Sequence, residues 1–143
     1  YPTAYDALYQ HNTVIGQETG FLFAFNSAGA SANYINTGGV WTSLTCQTIP
    51  LNQWTHYGLT YDGSNIRSYT NGQLCGIIAK TGNMVSTSYV YIGTRYPGYQ
   101  VFHGTIDEPR ISNTSNSADW ITTEFNNQNA PSTFYSISTA EAY

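Results

Sequence analysis

Few residues of this chain could carry chemistry, and they are scattered: eight carboxylates, three histidines and two cysteines in 143 residues. Retaining cleavage of a glycosidic bond needs two carboxylates about 5 Å apart. On a strand that means acids two positions apart on one face. The adjacent pair Asp107-Glu108 would point to opposite faces of any regular strand. His11, His56 and His103 are present, but there is no G-x-S-x-G turn to present a serine nucleophile. No catalytic activity is expected.

Binding chemistry is better represented. Arg95-Tyr96-Pro97-Gly98-Tyr99-Gln100-Val101-Phe102-His103 is a turn-rich run that concentrates Arg95, Tyr96, Tyr99 and His103. Loops on a rigid scaffold commonly carry function. The stretch from Asn33-Tyr34 to Trp41 is a second candidate, with Trp41 as a flat platform. Aromatics make up 15% of the chain, so Trp41 or Phe102 could equally belong to the core. Cys46 and Cys75 are too far apart for a C-x-x-C metal or redox motif. They could form one disulfide in an oxidising compartment or pack as two buried thiols, and both readings stay open.

The surroundings of these residues are unusual in charge. Only 8% of residues are charged, against roughly a quarter in an ordinary soluble domain. Hydration must come from Ser, Thr, Asn, Gln and the 13 tyrosines, a composition suited to work outside the cell. Arg67, Lys80, Arg95 and Arg110 are the whole basic complement, and net charge is −4. Nucleic-acid binding needs clustered cations, and an anionic membrane surface makes the same demand, so neither partner is expected. No apolar run approaches the roughly 20 residues that cross a bilayer as a helix, and no basic-then-apolar signal segment opens the chain.

The elements that position the candidates follow from punctuation. Turn signals recur at Gly16, Gly20, Gly29, Gly38-Gly39, Pro50, Asp62-Gly63, Asn71-Gly72, Gly82-Asn83, Pro97-Gly98 and Gly104. Between them, strands are predicted at 13–16, 21–25, 40–45, 55–61, 66–70, 74–79, 89–92 and 105–111. Such spacing argues for an all-β, two-sheet antiparallel sandwich or jelly roll. Tyr57, Leu59 and Tyr61 share one strand face. Pro109 lacks an N–H and implies an edge position or a bulge. From Ser117 as N-cap, one short helix is expected, with Trp120, Ile121 and Phe125 as its apolar stripe. It should stop before Pro131, and a final strand is expected over 133–138. The 143 residues read as one domain.

Three separated pieces then resemble a known family. Trp54-Thr55-His56 through Tyr61-Asp62-Gly63 and Arg67-Ser68-Tyr69-Thr70-Asn71-Gly72 form the first. Tyr91-Ile92-Gly93 is the second, and Gly104-Thr105-Ile106-Asp107-Glu108-Pro109-Arg110-Ile111-Ser112 the third. In order and spacing these are similar to laminin-G-like domains of the concanavalin A-like superfamily, of the kind found in bacterial and archaeal cell-surface proteins. The resemblance covers about residues 50–137 and implies a jelly-roll sandwich. Where the family usually has Val, this chain has Pro109. The E-x-D-x-x-E motif of the superfamily's glucanases has no counterpart here. Calcium is the cofactor the resemblance implies, with Asp107 carried over as a ligand and Asp6 or Glu18 as possible second acids. The family's N-terminal strand or strands have no match in residues 1–12, so donation of a strand by a second subunit is a further expectation.

Taken together, the expected function is non-catalytic recognition at the cell surface, through carbohydrate binding or adhesion to a cell-surface ligand. The rival expectation is a structural subunit of an extracellular filament or surface layer, self-associating into a polymer.

Overall fold

The computed structural model describes residues 11–17, 19–26, 29–50, 52–85, 89–95 and 97–134. The strands are β1 (His11–Gly16), β2 (Phe21–Asn26), β3 (Asn33–Thr37), β4 (Val40–Leu44), β5 (Tyr57–Tyr61), β6 (Asn65–Thr70), β7 (Gln73–Ala79) and β8 (Tyr91–Ile92). Helix α1 (Ala118–Asn129) and a single helical turn, α2 (Pro131–Phe134), follow. The strands form two antiparallel sheets, ordered β4-β3-β2-β1-β8 and β5-β6-β7.

Local chemistry sets the hairpins. Gly38 and Gly39 link β3 to β4 with φ of 58° and 84°, and Asn71 and Gly72 link β6 to β7 with 49° and 75°. Positive φ at both turn residues matches the right-handed twist of the flanking strands. Between β5 and β6, Asp62 Oδ1 accepts from the N–H groups of Ser64 and Asn65, at 2.9 and 2.7 Å. The Arg67 guanidinium holds the second oxygen of the same carboxylate.

Alternation then sorts the faces. Ile66, Leu59 and Tyr61 of the small sheet meet Ile35 and Leu44 of the large one. Tyr57 packs with Ile15, Phe25, Phe23, Phe102 and Ile106 in a second cluster. The interlayer is not wholly apolar. Asn33, fully buried, donates from Nδ2 to the Tyr57 hydroxyl at 3.1 Å and to Ser68 Oγ at 2.9 Å. Buried amides and hydroxyls of this kind cost stability unless paired, and their pairing fixes the relative position of the two sheets. Cys46 and Cys75 are disulfide-bonded, with Cα atoms 5.7 Å apart, joining the segment after β4 to β7. Closing a loop of that length stabilises the fold by about 3–4 kcal/mol on a chain-entropy model.

The other face of the small sheet carries α1. Ser117 Oγ accepts from the Trp120 N–H at 3.2 Å and caps the helix. Ile121 packs over Gly58, and Thr122 Oγ1 donates to the Gly72 carbonyl at 2.8 Å.

Four expectations need correction. Asn33–Thr37 is a strand and not part of a loop, so the candidate stretch to Trp41 is a hairpin. Residues 105–111 form no ladder among the described residues: Glu108 takes φ 46° and Pro109 has no N–H to give, so the chain cannot run straight there. Thr133 lies in the turn α2, not in a strand, and 135–138 fall outside the described residues. Trp120 is 59% exposed. The buried stripe of α1 is Ile121, with the half-buried Phe125 one turn on, and Trp120 points away from it.

Candidate functional site

The β3–β4 hairpin positions the best candidate. Tyr34 pairs with Ser43 and Asn36 with Trp41, so these four residues share the face turned away from the opposite sheet. Tyr34 and Trp41 are diagonal neighbours there. Their rings meet edge to face at 6.4 Å and 84°, an arrangement aromatic quadrupoles favour. Trp41 keeps 37% of its surface open.

Arg95, on the segment after β8, acts on the Tyr34 hydroxyl through its charge. Burial raises the Tyr34 hydroxyl above the ordinary phenol range, and the nearby Arg95 charge partly offsets that. The loop bearing Arg95 is closed on itself: the Arg95 N–H and the Thr94 hydroxyl both donate to the Tyr99 carbonyl, at 3.2 and 2.8 Å. Tyr99 is 41% exposed on that loop. Tyr99 shares that loop with Arg95. Tyr96 lies outside the described residues. His103 is exposed beyond Phe102, whose ring packs on the core, and no contact among the described residues joins it to Trp41. Tyr34 was flagged by the sequence only as the start of the stretch ending at Trp41.

Asp107 is exposed, and its Oδ1 accepts from the Glu108 N–H at 3.0 Å. Among the described residues, no three His, Cys, Asp or Glu side chains group as a metal would require. These residues alone do not make a calcium cage. Asp6 and Glu18 lie outside the described residues.

A cluster the sequence did not signal joins three elements. Arg110 donates to Glu124 of α1 and, at 2.7 Å, to Glu108. Gln128 Nε2 donates to the same Glu108 oxygen at 2.8 Å, and His56 Nε2 lies 3.9 Å from Glu124. Two carboxylates therefore share one guanidinium. The guanidinium takes one oxygen of each carboxylate. The cluster fastens the irregular 105–111 segment to α1. A polar recess of about 320 Å³ beside it, lined by Thr123, Asn126, Ala130 and Thr133, offers no aromatic face.

Comparison with known proteins fits this architecture. The chain belongs to the Laminin_G_3 family of the concanavalin A-like lectin/glucanases superfamily, whose model matches residues 2–122. No curated protein matches the chain. Among solved structures, a candidate carbohydrate binding protein from Bacteroides ovatus is 23% identical, with a TM-score of 0.66. The match covers 79% of this chain and 36% of that one. An S-layer domain-containing protein from Clostridium thermocellum is 25% identical with a TM-score of 0.49, covering 73% of this chain and 55% of the other. This chain therefore spans about a third to a half of the length of those two. No described helix is long and apolar enough to cross a membrane.

Proposed function

We propose that this domain is a non-catalytic recognition module that works outside the cell and binds carbohydrate on the outer face of the β3–β4 hairpin. One observation carries the reading: Tyr34 and Trp41 lie edge to face on the outer side of the hairpin, with Trp41 37% exposed. Trp41 supplies a flat face for sugar C–H groups. Tyr34 borders it with a hydroxyl. Membership of a lectin and glucanase superfamily supports the reading. So does the disulfide, because such bonds persist in oxidising compartments. The shared guanidinium at Glu108 and Glu124 argues against glycosidase chemistry in the described residues.

The test is a glycan array followed by affinity measurement on Trp41→Ala. Binding is expected to fall at least tenfold, with the melting temperature within about 3 °C of the parent, since the ring is partly open. Silence across the array, or full binding by Trp41→Ala, would overturn the reading.

A second reading is self-association into a filament or surface layer, favoured by one observation. Only Ile15 and Gly16 of β1 pair with β8, leaving the edge at 11–14 without a ladder partner on that side among the described residues. Open edges template pairing with another chain. Negative-stain microscopy at high protein concentration separates the readings: polymers favour the second, discrete particles the first.

A further inference from the structure

We propose that Asn113 is a site of covalent N-glycosylation. The inference stands apart from the carbohydrate-binding reading: there a glycan is the ligand, here it becomes part of the protein. Transfer joins Asn113 Nδ2 to the anomeric carbon of a sugar delivered as a lipid-phosphate- or lipid-pyrophosphate-linked oligosaccharide. The bond between that carbon and the phosphate oxygen breaks, the lipid phosphate leaves, and the amide gives up one proton. No oxidant or reductant is consumed.

The acceptor pattern for this transfer is Asn-x-Ser/Thr, with x other than proline, on the surface loops of secreted proteins. Asn113-Thr114-Ser115 is the one place in the 143 residues where it occurs. Asn116, the nearest other asparagine, is followed by Ser117 and Ala118 and so lacks the second hydroxyl. The structure meets the demands of transfer. Residues 111–115 are all exposed and lie in neither strand nor helix. Among the described residues, no hydrogen bond engages the Asn113 amide or the Ser115 hydroxyl. The local bonds pass them by: the Ser112 and Thr114 hydroxyls lie 3.1 Å apart, and the Thr114 N–H donates to Ser112 Oγ at 3.2 Å. Both acceptor groups are therefore open to an enzyme while the sandwich stays folded.

The position also suits a bulky adduct. The segment runs from Arg110, held by Glu124, to Ser117, the cap of α1. A glycan there would project on the α1 side of the small sheet, whereas Tyr34 and Trp41 belong to the large one. The hairpin stays uncovered. Residues 111–118 contain no charged side chain, and Ile111 is 59% exposed. Sugar hydroxyls would hydrate that stretch. The Cys46–Cys75 disulfide fits an exported chain.

The test uses protein recovered from the cells that make it. Trypsin cuts after Arg110 and releases a peptide that begins at Ile111 and contains Asn113. Mass spectrometry with electron-transfer fragmentation reads both the added mass and the residue that bears it. Sugar residues on Asn113 are expected in most copies. Asn113→Gln and Ser115→Ala should each abolish them, while Ser115→Thr should retain them. Circular dichroism of the variants should match the parent, because the side chains replaced are exposed and unbonded. An unmodified peptide in every copy would overturn the proposal. So would sugar on a serine or threonine hydroxyl in place of Asn113, or modification of Asn113 that persists in Ser115→Ala.

Discussion

His56 shows how one side chain can report on the state of the fold. It sits between Glu124 and Phe125 of α1, and its Nδ1 is buried without a partner. Burial lowers its pKa below the ordinary 6.5, and Arg110 adds to this while Glu124 opposes it. The folded state therefore prefers the neutral ring. Between the lowered pKa and 6.5 the unfolded chain binds more protons, so stability falls as pH drops through that window. The melting temperature is expected to be lower at pH 5.5 than at pH 7.5, and His56→Phe should flatten that step. Asp62 acts in a separate, lower window. Held at about 2 by Arg67 and the N–H groups of Asn65 and Ser64, its stabilisation is present above 3.8 and lost as pH falls towards 2. Among the described residues Asp107 belongs to no group of three His, Cys, Asp or Glu side chains, so EDTA is expected to leave the melting temperature unchanged. A drop of several degrees, removed in Asp107→Asn, would restore calcium with Asp6 or Glu18 as the missing acid.

At the scale of elements, the turn between β6 and β7 is a tight joint with α1. Gly72 has φ 75°, and a Cβ there would lie 3.1 Å from the Phe125 ring and 3.2 Å from Thr122 Cα. Gly72→Ala is expected to cost about 1–3 kcal/mol in chemical denaturation, because strain and displacement of α1 add together. A cost near zero would mean that α1 is not seated on the turn. The Asn-Gly signal at this joint was legible in the sequence, as were seven of the strands in whole or part and the Ser117 cap, because each depends on residues close together in the chain. Residues 105–111 read as a strand on Thr105, Ile106 and Ile111 between turn signals, yet Glu108 and Pro109 break the ladder. What holds that segment is Ile106 in the core and Arg110 on Glu124, contacts between distant parts of the chain. Strand β3 was missed because Asn33 and Asn36 look like loop residues. Asn33 is in fact buried and bonded to Ser68 across the sandwich.

Over the whole molecule, scarcity of charge gives each cation a traceable task. Two of the four secure the scaffold, Arg67 at a hairpin and Arg110 on α1, while Lys80 Nζ donates to the Val40 carbonyl beside Trp41 and the Arg95 charge acts on the Tyr34 hydroxyl. The sequence named the stretch from Asn33-Tyr34 to Trp41. That Tyr34 and Trp41 meet depends on the register of β3 with β4, and register was not readable from spacing. The family match runs from residue 2 to 122, whereas the motifs read from the sequence began at Trp54. Recognition at the Tyr34–Trp41 surface is tested most directly by amide chemical-shift mapping of the labelled domain during titration with a glycan that it binds. The expected result is saturable shifts at Tyr34, Asn36 and Trp41 together. Shifts confined to α1 and the Glu108–Arg110–Glu124 cluster, with the hairpin unmoved, would contradict it.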